Sequence, residues 1–207
     1  MLSEADISNI NVKEFGIAHF GSATAFLPGP LQSAYTYLLD KAKSENLFIS
    51  FDPNYRQLLF GNNHPEFIKR SWEFIKQADF FKVSDEEALL ITETSTIEEA
   101  AQVFFNNSPA VFAITLGKEG TLLSSNHGTE IISSIPITAI DATGAGDAFV
   151  GAVLYQLIGT KPADMQALPI EQWRTIIANA NKAGARTCEY MGAMEAFKHL
   201  NNSIFNS

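Results

Sequence analysis

The sequence has little cysteine and little positive charge, and each shortage excludes some classes of function. Its single cysteine, Cys188, excludes an internal disulfide and offers no metal-ligand spacing, so we expect a reducing, cytoplasmic location. Among 207 residues, 14 are Lys or Arg and 23 are Asp or Glu, which gives a formal net charge of -9. Nucleic-acid binding without sequence preference needs clustered basic side chains, so no nucleic-acid partner is expected. Nucleotide binding stays open, because backbone N–H groups can hold a small phosphate.

Long hydrophobic runs are also missing. The longest apolar stretch, Ala148 to Ile158, is interrupted by Gln156 and is too short to span a bilayer. Residues 1–6 are acidic and lack the basic and apolar regions of a signal peptide. We therefore expect a soluble protein with no membrane partner. Hydrophobic residues make up 46% of the chain, enough for a folded core in which the sixteen phenylalanines, Phe105 included, are expected to pack.

Strand and helix patterns alternate along most of the chain. Apolar runs predict strands at residues 16–22, 47–51, 79–83 and 111–116, and helical periodicity begins near Pro30, His64 and Thr96. Two more strands, at 121–125 and 130–137, flank the turn Asn126-His127-Gly128 and predict a hairpin. From Ala145 the chain reads as helix, with breaks at 159–162 and at Gly192. This order predicts one α/β domain over residues 1–207, with a mostly parallel sheet, helices on both faces and an antiparallel edge hairpin.

The segment from Asp141 to Ala152, DATGAGDAFVGA, carries the most chemical information. Gly144, Ala145 and Gly146 stand at a predicted helix start, where small residues let backbone N–H groups converge on an anion. Asp147 follows at once and could contact a hydroxyl beside that anion. The spacing excludes a Walker A loop and a dinucleotide fingerprint, because no Gly-Lys-Ser/Thr is present and the next glycine comes five residues later. The alternative is a tight turn with Asp147 as a helix cap.

This segment resembles the second signature of the ribokinase-like, or PfkB, carbohydrate kinases, Asp-x-Thr-Gly-Ala-Gly-Asp. The resemblance implies ATP-dependent transfer of the γ-phosphoryl group to a sugar hydroxyl. In that reaction Asp147 would accept the hydroxyl proton, and the N–H groups after Gly144 would stabilise charge on the transferred group. It also implies a monovalent cation such as K⁺ near Asp141 and Thr143, although Ala196 stands where a further side-chain oxygen is expected.

Two shorter elements extend the resemblance to the sugar and phosphate side. Asp52, Asn54 and Arg56 match the Asp-x-Asn-x-Arg element of fructokinase-like members, and Arg56 would meet phosphate. A surface salt bridge with an Asp-Pro turn is the alternative. Ser84 and Glu87 match the Asn-x-x-Glu element that helps to place Mg²⁺ through water, with Ser84 in the fructokinase-like variant. Acidic residues in a first helical turn are the alternative.

The nucleotide side of the resemblance lies further along the chain. The run from Thr115 through Gly117 to Gly120 resembles the Thr-Leu-Gly-x-x-Gly turn that contacts the nucleotide. Asn181, and the pair Gly192 and Ala193, resemble the adenine-side helix and its following turn, with Asn181 as a nucleotide contact. Taken alone, these runs are an ordinary strand turn and a helix-packing face. ATP or ADP, Mg²⁺ and a small sugar are thus the expected ligands.

The family's N-terminal features have no counterpart in the sequence. Its first strand, its sugar-binding aspartate, its Gly-Gly element and its lid are absent, and residues 2–12 resemble a short helix before a central strand. We therefore expect an N-terminally truncated member that binds nucleotide weakly and phosphorylates sugar poorly. Exposed apolar surface or an unpaired sheet edge should cause self-association or reduced stability. Two hypotheses stay open: a fructokinase-like sugar kinase, and a non-catalytic nucleotide-binding or interaction remnant. The sugar also stays open among fructose, ribose and 2-keto-3-deoxygluconate.

Overall fold

The computed structural model describes residues 2–21, 23–61 and 63–206. The chain divides into two compact units. The first comprises Met1–Phe112 and Gly159–Ala167, and the second comprises Ala113–Ile158 and Leu168–Ser207. The single domain predicted over residues 1–207 stays a prediction.

The first unit alternates strands and helices, as the apolar periodicity predicts. Its elements in chain order are α1 (Glu4–Ser8), β1 (Ile17–Gly21), α2 (Pro30–Ser44), β2 (Phe48–Asp52), α3 (Gln57–Phe60), α4 (His64–Ile75), β3 (Phe80–Ser84), α5 (Asp85–Thr92), α6 (Ile97–Asn107) and α8 (Pro162–Gln166). The apolar periodicity predicts this helix over residues 64–78, but α4 ends at Ile75, and the Gln77 N–H then closes a tighter turn on the Phe74 carbonyl. The predicted first strand includes Ser22, which lies outside the described residues.

The second unit holds a hairpin and two long helices. Its elements are β5 (Thr121–Ser125), β6 (Gly128–Ile132), α7 (Ala145–Leu157) and α9 (Ile170–Thr187), and β4 (Val111–Thr115) leads into it. Strand β6 starts two residues earlier than predicted and ends at Ile132 rather than at residue 137. Pro136 has no N–H for a strand ladder. The Ile132 and Ser133 carbonyls also accept hydrogen bonds from the side-chain amide of Asn181. Residues 133–139 therefore belong to no helix or strand.

The strands form one six-stranded sheet in the order β1-β2-β3-β4-β5-β6. Strand β2 pairs in parallel with β1 and with β3, which places Asp52 beside Gly21 at the carboxyl end. Strands β5 and β6 pair antiparallel around Asn126 and His127. The predicted mostly parallel α/β sheet with an antiparallel hairpin is confirmed.

Aromatic side chains fill the core of the first unit. Phe51 stacks on Phe74 with ring centroids 5.2 Å apart, and Phe81 stacks on Phe112 at 5.1 Å. Strand β2 is buried along its full length, as expected of a strand covered on both faces. The expectation that all phenylalanines lie inside is wrong for Phe15, Phe105 and Phe197, which are 55%, 48% and 66% exposed. In the part of the chain that the structure describes, no helix combines the length and apolar character of a membrane span.

Candidate active site

The start of helix α7 is built on a glycine that no other residue could replace without strain. Gly144 is the N-cap and has φ of +84°, in the left-handed region. A Cβ at Gly144 would also lie 2.8 Å from the Cβ of Ala193 and 2.9 Å from its Cα. The glycine therefore permits both the sharp entry into α7 and the close approach of the segment around Ala193.

Asp141 ties the loop before α7 to that same segment. Its Oδ1 accepts hydrogen bonds from the Thr143 N–H at 2.9 Å and from the Thr143 hydroxyl at 2.6 Å. Its Oδ2 accepts one from the Gly192 N–H at 2.8 Å. These bonds, that of the Thr143 hydroxyl first, hold the pKa of Asp141 below its usual value. The carboxylate is thus a structural tether for residues 141–144.

The first turn of α7 presents backbone donors and a carboxylate together. The Ala145 N–H donates to the Ala142 carbonyl at 3.2 Å. The N–H groups of Gly146 and Asp147 lie where an α-helix supplies no acceptor of its own. The Asp147 side chain is exposed in the same turn. Helix α7 therefore offers, within one turn, two N–H groups that have no acceptor in the helix, the positive end of the helix dipole and an exposed carboxylate.

A cavity of about 840 Å³ adjoins this turn within the second unit. Thr115, Gly117 and Gly120 line it from the turn after β4, and Ala145 and Gly146 line it from α7. Its remaining walls come from the irregular segment 134–139 and from one side of α9, with Asn181, Gly184, Ala185 and Cys188. A cavity of this size with a few polar groups suits a ligand as large as a nucleotide.

Small residues allow α7 and α9 to approach closely beside the cavity. A Cβ at Gly184 would lie 3.1 Å from the Ala145 carbonyl oxygen, at the first residue of α7. The Cys188 carbonyl accepts hydrogen bonds from the N–H groups of Ile140 at 2.7 Å and Asp141 at 3.1 Å. Burial raises the pKa of the Cys188 thiol, and the negative charge of Asp141 adds to that effect. Helix α9 therefore positions both the loop before α7 and its first turn.

In the first unit, polar side chains gather at the carboxyl ends of β2 and β3. Asp52 is buried, and its Oδ1 accepts a hydrogen bond from the Asn54 N–H at 3.2 Å. Its Oδ2 lies 3.5 Å from Nζ of Lys82 on the neighbouring strand, and both side chains of this ion pair are under 10% exposed. Asn54 has φ of +48°, a left-handed conformation that asparagine tolerates. Arg56 is exposed and donates from its guanidinium to the Tyr55 carbonyl at 3.0 Å.

Glu87 joins the two loops that follow these strands. Its Oε1 accepts a hydrogen bond from the Tyr55 N–H at 2.7 Å, and its Oε2 accepts one from the Ser84 N–H at 2.8 Å. The Ser84 hydroxyl accepts from the Glu87 N–H at 3.1 Å, which completes a capping box at the start of α5. Glu87 is 7% exposed, so both carboxylate oxygens face inward. The side chain fixes the loop after β2 against the start of α5.

Within residues 2–21, 23–61 and 63–206, no three histidine, cysteine, aspartate or glutamate side chains lie close enough together to hold a metal ion. A magnesium ion held by nucleotide phosphates and water does not need such a cluster.

Comparison with known proteins assigns the family. Residues 2–200 match the pfkB family of carbohydrate kinases. The chain belongs to that family. It is 31% identical over 199 residues to Probable fructokinase-2 of Arabidopsis thaliana, and the match covers 95% of this chain and 59% of the relative. It is also 31% identical over 190 residues to Putative fructokinase-8 of Arabidopsis thaliana, with 89% of this chain and 86% of that protein covered.

The solved structures agree on the fold. The fructokinase of Vibrio cholerae O395, crystallised with fructose, ADP and calcium ion bound, superimposes with a TM-score of 0.78 at 29% identity. The match covers 92% of this chain and 59% of that structure. This pfkB chain thus spans less than two thirds of the length of the fructokinase-2 and Vibrio cholerae relatives.

The residues predicted for a pfkB kinase fall into one group in each unit. Asp52, Asn54, Arg56 and Glu87 lie in the first unit, and Asp141, Thr143, Gly144, Ala145, Gly146, Asp147, Thr115, Gly117, Gly120, Asn181, Gly192 and Ala193 lie in the second. Thr115, Gly117, Gly120 and Asn181 line the cavity, whereas Gly192 and Ala193 contact the 141–144 loop.

Sequence reasoning missed three features near the candidate residues. Lys82 carried a usable signal, since a lysine within the apolar strand FFKVS requires a buried partner. Residues 134–137 of the cavity wall are predicted as strand, whereas the structure places them in no helix or strand. The contact of Gly184 with the Ala145 carbonyl depends on how α7 and α9 cross, which a sequence pattern does not specify.

Proposed function

We propose that this chain carries the nucleotide-binding and phosphoryl-transfer groups of an ATP-dependent sugar kinase, with fructose as the favoured acceptor. The observation that carries the proposal is the 840 Å³ cavity that adjoins the first turn of α7. Family membership supports it, as do the names of the fructokinase relatives and the fructose and ADP bound to the Vibrio cholerae structure.

The cavity is the proposed nucleotide site. Ile135, Pro136, Ile137 and Phe149 give it apolar walls, which suit a purine base. The turn from Gly117 to Gly120 also lines the cavity and offers backbone groups there. The phosphates would extend toward Gly146, because the N–H groups and dipole of the helix start favour negative charge there.

Asp147 and the start of α7 are the proposed reaction centre. The sugar hydroxyl oxygen would form a bond to the γ-phosphorus. The bond from that phosphorus to the oxygen bridging the β- and γ-phosphates would break, and ADP would leave. The hydroxyl proton would pass to the Asp147 carboxylate, which stands exposed in the first turn. The transition state is loose, so a carboxylate that positions the hydroxyl and accepts its proton late is sufficient. The N–H groups of Gly146 and Asp147 would stabilise charge on the transferred group.

The cation roles fit the structure to different degrees. Bound Mg²⁺ would neutralise the nucleotide phosphates, which is the chemistry that it supplies to phosphoryl transfer. Glu87 stays the proposed contact to Mg²⁺ through water on the resemblance alone, since in the structure both its carboxylate oxygens are buried and accept backbone hydrogen bonds. Asp141 and Thr143 stay the proposed neighbours of a monovalent cation. Arg56, whose guanidinium is exposed, is the proposed phosphate contact of the first unit.

The test compares Asp147→Asn with the unaltered chain in ADP binding and in fructose-dependent ADP release. Asp164→Asn is the matched control, because Asp164 is also an exposed aspartate at the third position of a helix, α8. We expect Asp147→Asn to lower turnover by about 10²–10⁴-fold, the usual contribution of a positioned proton acceptor. Its dissociation constant for ADP should change by less than about threefold, and the control should match the unaltered chain in both assays.

Other outcomes separate the alternatives. ADP binding without turnover in any form would favour a non-catalytic nucleotide-binding module. Turnover that survives Asp147→Asn would overturn the assignment of the proton acceptor. Absence of ADP binding at millimolar concentration would overturn the proposed function itself.

A further inference from the structure

A buried polar junction joins helix α9 to the hairpin beside the cavity. Asn181 is 6% exposed, and its Nδ2 donates to the Ile132 carbonyl at 2.8 Å and to the Ser133 carbonyl at 3.4 Å. Its Oδ1 accepts a hydrogen bond from the Thr121 hydroxyl at 2.6 Å. Carbonyl oxygens only accept, so this is the one orientation of the amide that satisfies all three partners. The amide is therefore fully engaged within the protein.

A second, independent feature fixes the same stretch of chain. Gly120 has φ of +109°, and a Cβ there would lie 2.1 Å from the Ile132 carbonyl oxygen and 2.7 Å from the Ser134 nitrogen. The backbone of the turn after β4 thus lies directly against residues 132–134. Only glycine permits this approach.

The wall that continues from this point lies outside the regular elements of the second unit. Residues 133–139 belong to no helix or strand, and five of them, Ser134, Ile135, Pro136, Ile137 and Ala139, line the cavity. At one end the segment is held by Asn181 and Gly120. At the other end the Cys188 carbonyl holds the N–H groups of Ile140 and Asp141. The position of the wall therefore depends on the tethers at its ends.

We propose that Asn181 is a positioning residue, whose buried amide acts on nucleotide binding by fixing the wall at 133–139. The effect on nucleotide binding rests on the proposed function. The fixing of residues 133–139 by Asn181 does not. Because tethers hold both ends of the wall before a ligand binds, binding should not have to order it.

The test uses the full chain with Asn181→Asp, which replaces two amide donors by a carboxylate facing two carbonyl oxygens. Hydrogen exchange of the ligand-free protein should be at least about tenfold faster in peptides that cover 133–139, because a buried acceptor left without its donor opens more easily. The dissociation constant for ADP should rise at least about tenfold for the same reason.

Three further variants sharpen the result. Asn179→Asp is the matched control on α9, because the Asn179 amide donates to Gln156 of α7 instead. It should leave exchange at 133–139 unchanged. Thr121→Val removes the hydroxyl that Asn181 accepts from, and it should weaken ADP binding about three- to tenfold. Thr121→Ser keeps the hydroxyl and should restore ADP affinity.

Two other outcomes would overturn the proposal, and a third would concern only the proposed function. Weaker ADP binding by Asn181→Asp with unchanged exchange at 133–139 would mean direct contact with the nucleotide and would overturn the proposal. Faster exchange spread evenly over the second unit would mean a general packing role and would also overturn it. Failure of the unaltered chain to bind ADP would defeat the proposed function alone, since exchange at 133–139 would still decide the role of Asn181.

Discussion

Glu87 offers the sharpest test of how the first unit is held together. The substitution Glu87→Gln keeps the size of the side chain but replaces one carboxylate oxygen by an NH₂ group. In the structure both oxygens accept backbone hydrogen bonds, from Tyr55 at 2.7 Å and from Ser84 at 2.8 Å. Glutamine can accept only one of them, and its NH₂ group must then face the other N–H.

The magnitude follows from these two bonds. A hydrogen bond to a charged group contributes about 1.5–3 kcal/mol, and a buried N–H left without an acceptor costs a similar amount. Loss of one bond and weakening of the other should lower the free energy of unfolding by about 2–4 kcal/mol. With a urea m-value of about 2 kcal/mol/M, the middle of the usual range, the unfolding midpoint should fall by about 1–2 M.

Glu86→Gln is the control in a urea titration followed by circular dichroism. Glu86 lies in the same first turn of α5, but its side chain is exposed, so the control measures only the interaction of charge with the helix dipole, at most about 1 kcal/mol. Equal midpoints for Glu87→Gln and Glu86→Gln would refute the reasoning, because they would show that the two backbone bonds contribute nothing beyond charge at a helix start.

Two further predictions concern the second unit. In thermal melts, Gly144→Ala should lower the free energy of unfolding by about 2–4 kcal/mol, because of the positive φ and the overlap with Ala193. Gly151→Ala inside α7, where no atom lies within 4 Å of the new Cβ, should instead raise the free energy of unfolding by about 0.5–1 kcal/mol. Losses of equal size would contradict the role given to Gly144. Cys188 should react with iodoacetamide more slowly than a free cysteine, because burial raises its pKa. Saturating ADP should slow the reaction at least about fivefold further, since Cys188 lines the cavity. An unchanged rate with ADP would place the nucleotide elsewhere.

Local chemistry made much of the fold predictable from sequence. The helix start predicted near Thr96 is fixed by a Thr-x-x-Glu capping box. The Glu99 N–H donates to the Thr96 hydroxyl at 3.2 Å, and the Glu99 carboxylate accepts from the Thr96 N–H. The turn at Asn126 and His127 closes the predicted hairpin. Such features depend on residues a few positions apart, so a single sequence contains all the information that they need.

Contacts between distant segments were harder to predict. The pattern Asp-x-Thr-Gly-Ala-Gly-Asp located the helix start and its carboxylate, but Asp141 bonds to Gly192, fifty-one residues away. Asn181 was predicted to contact the nucleotide, and its role stays a prediction. The structure shows its amide engaged with Thr121 and the end of β6, a relation set by packing of α9 on the hairpin. The buried pair of Lys82 and Asp52 likewise depends on the register of β2 against β3.

The position of bound ADP decides whether the cavity beside α7 is the nucleotide site. The measurement is a crystal structure of the full chain grown with millimolar ADP and Mg²⁺. We expect the base in the cavity between Gly117 and Cys188, with the β-phosphate at the N–H groups of Gly146 and Asp147. ADP bound outside this cavity, or phosphates turned away from the start of α7, would contradict it.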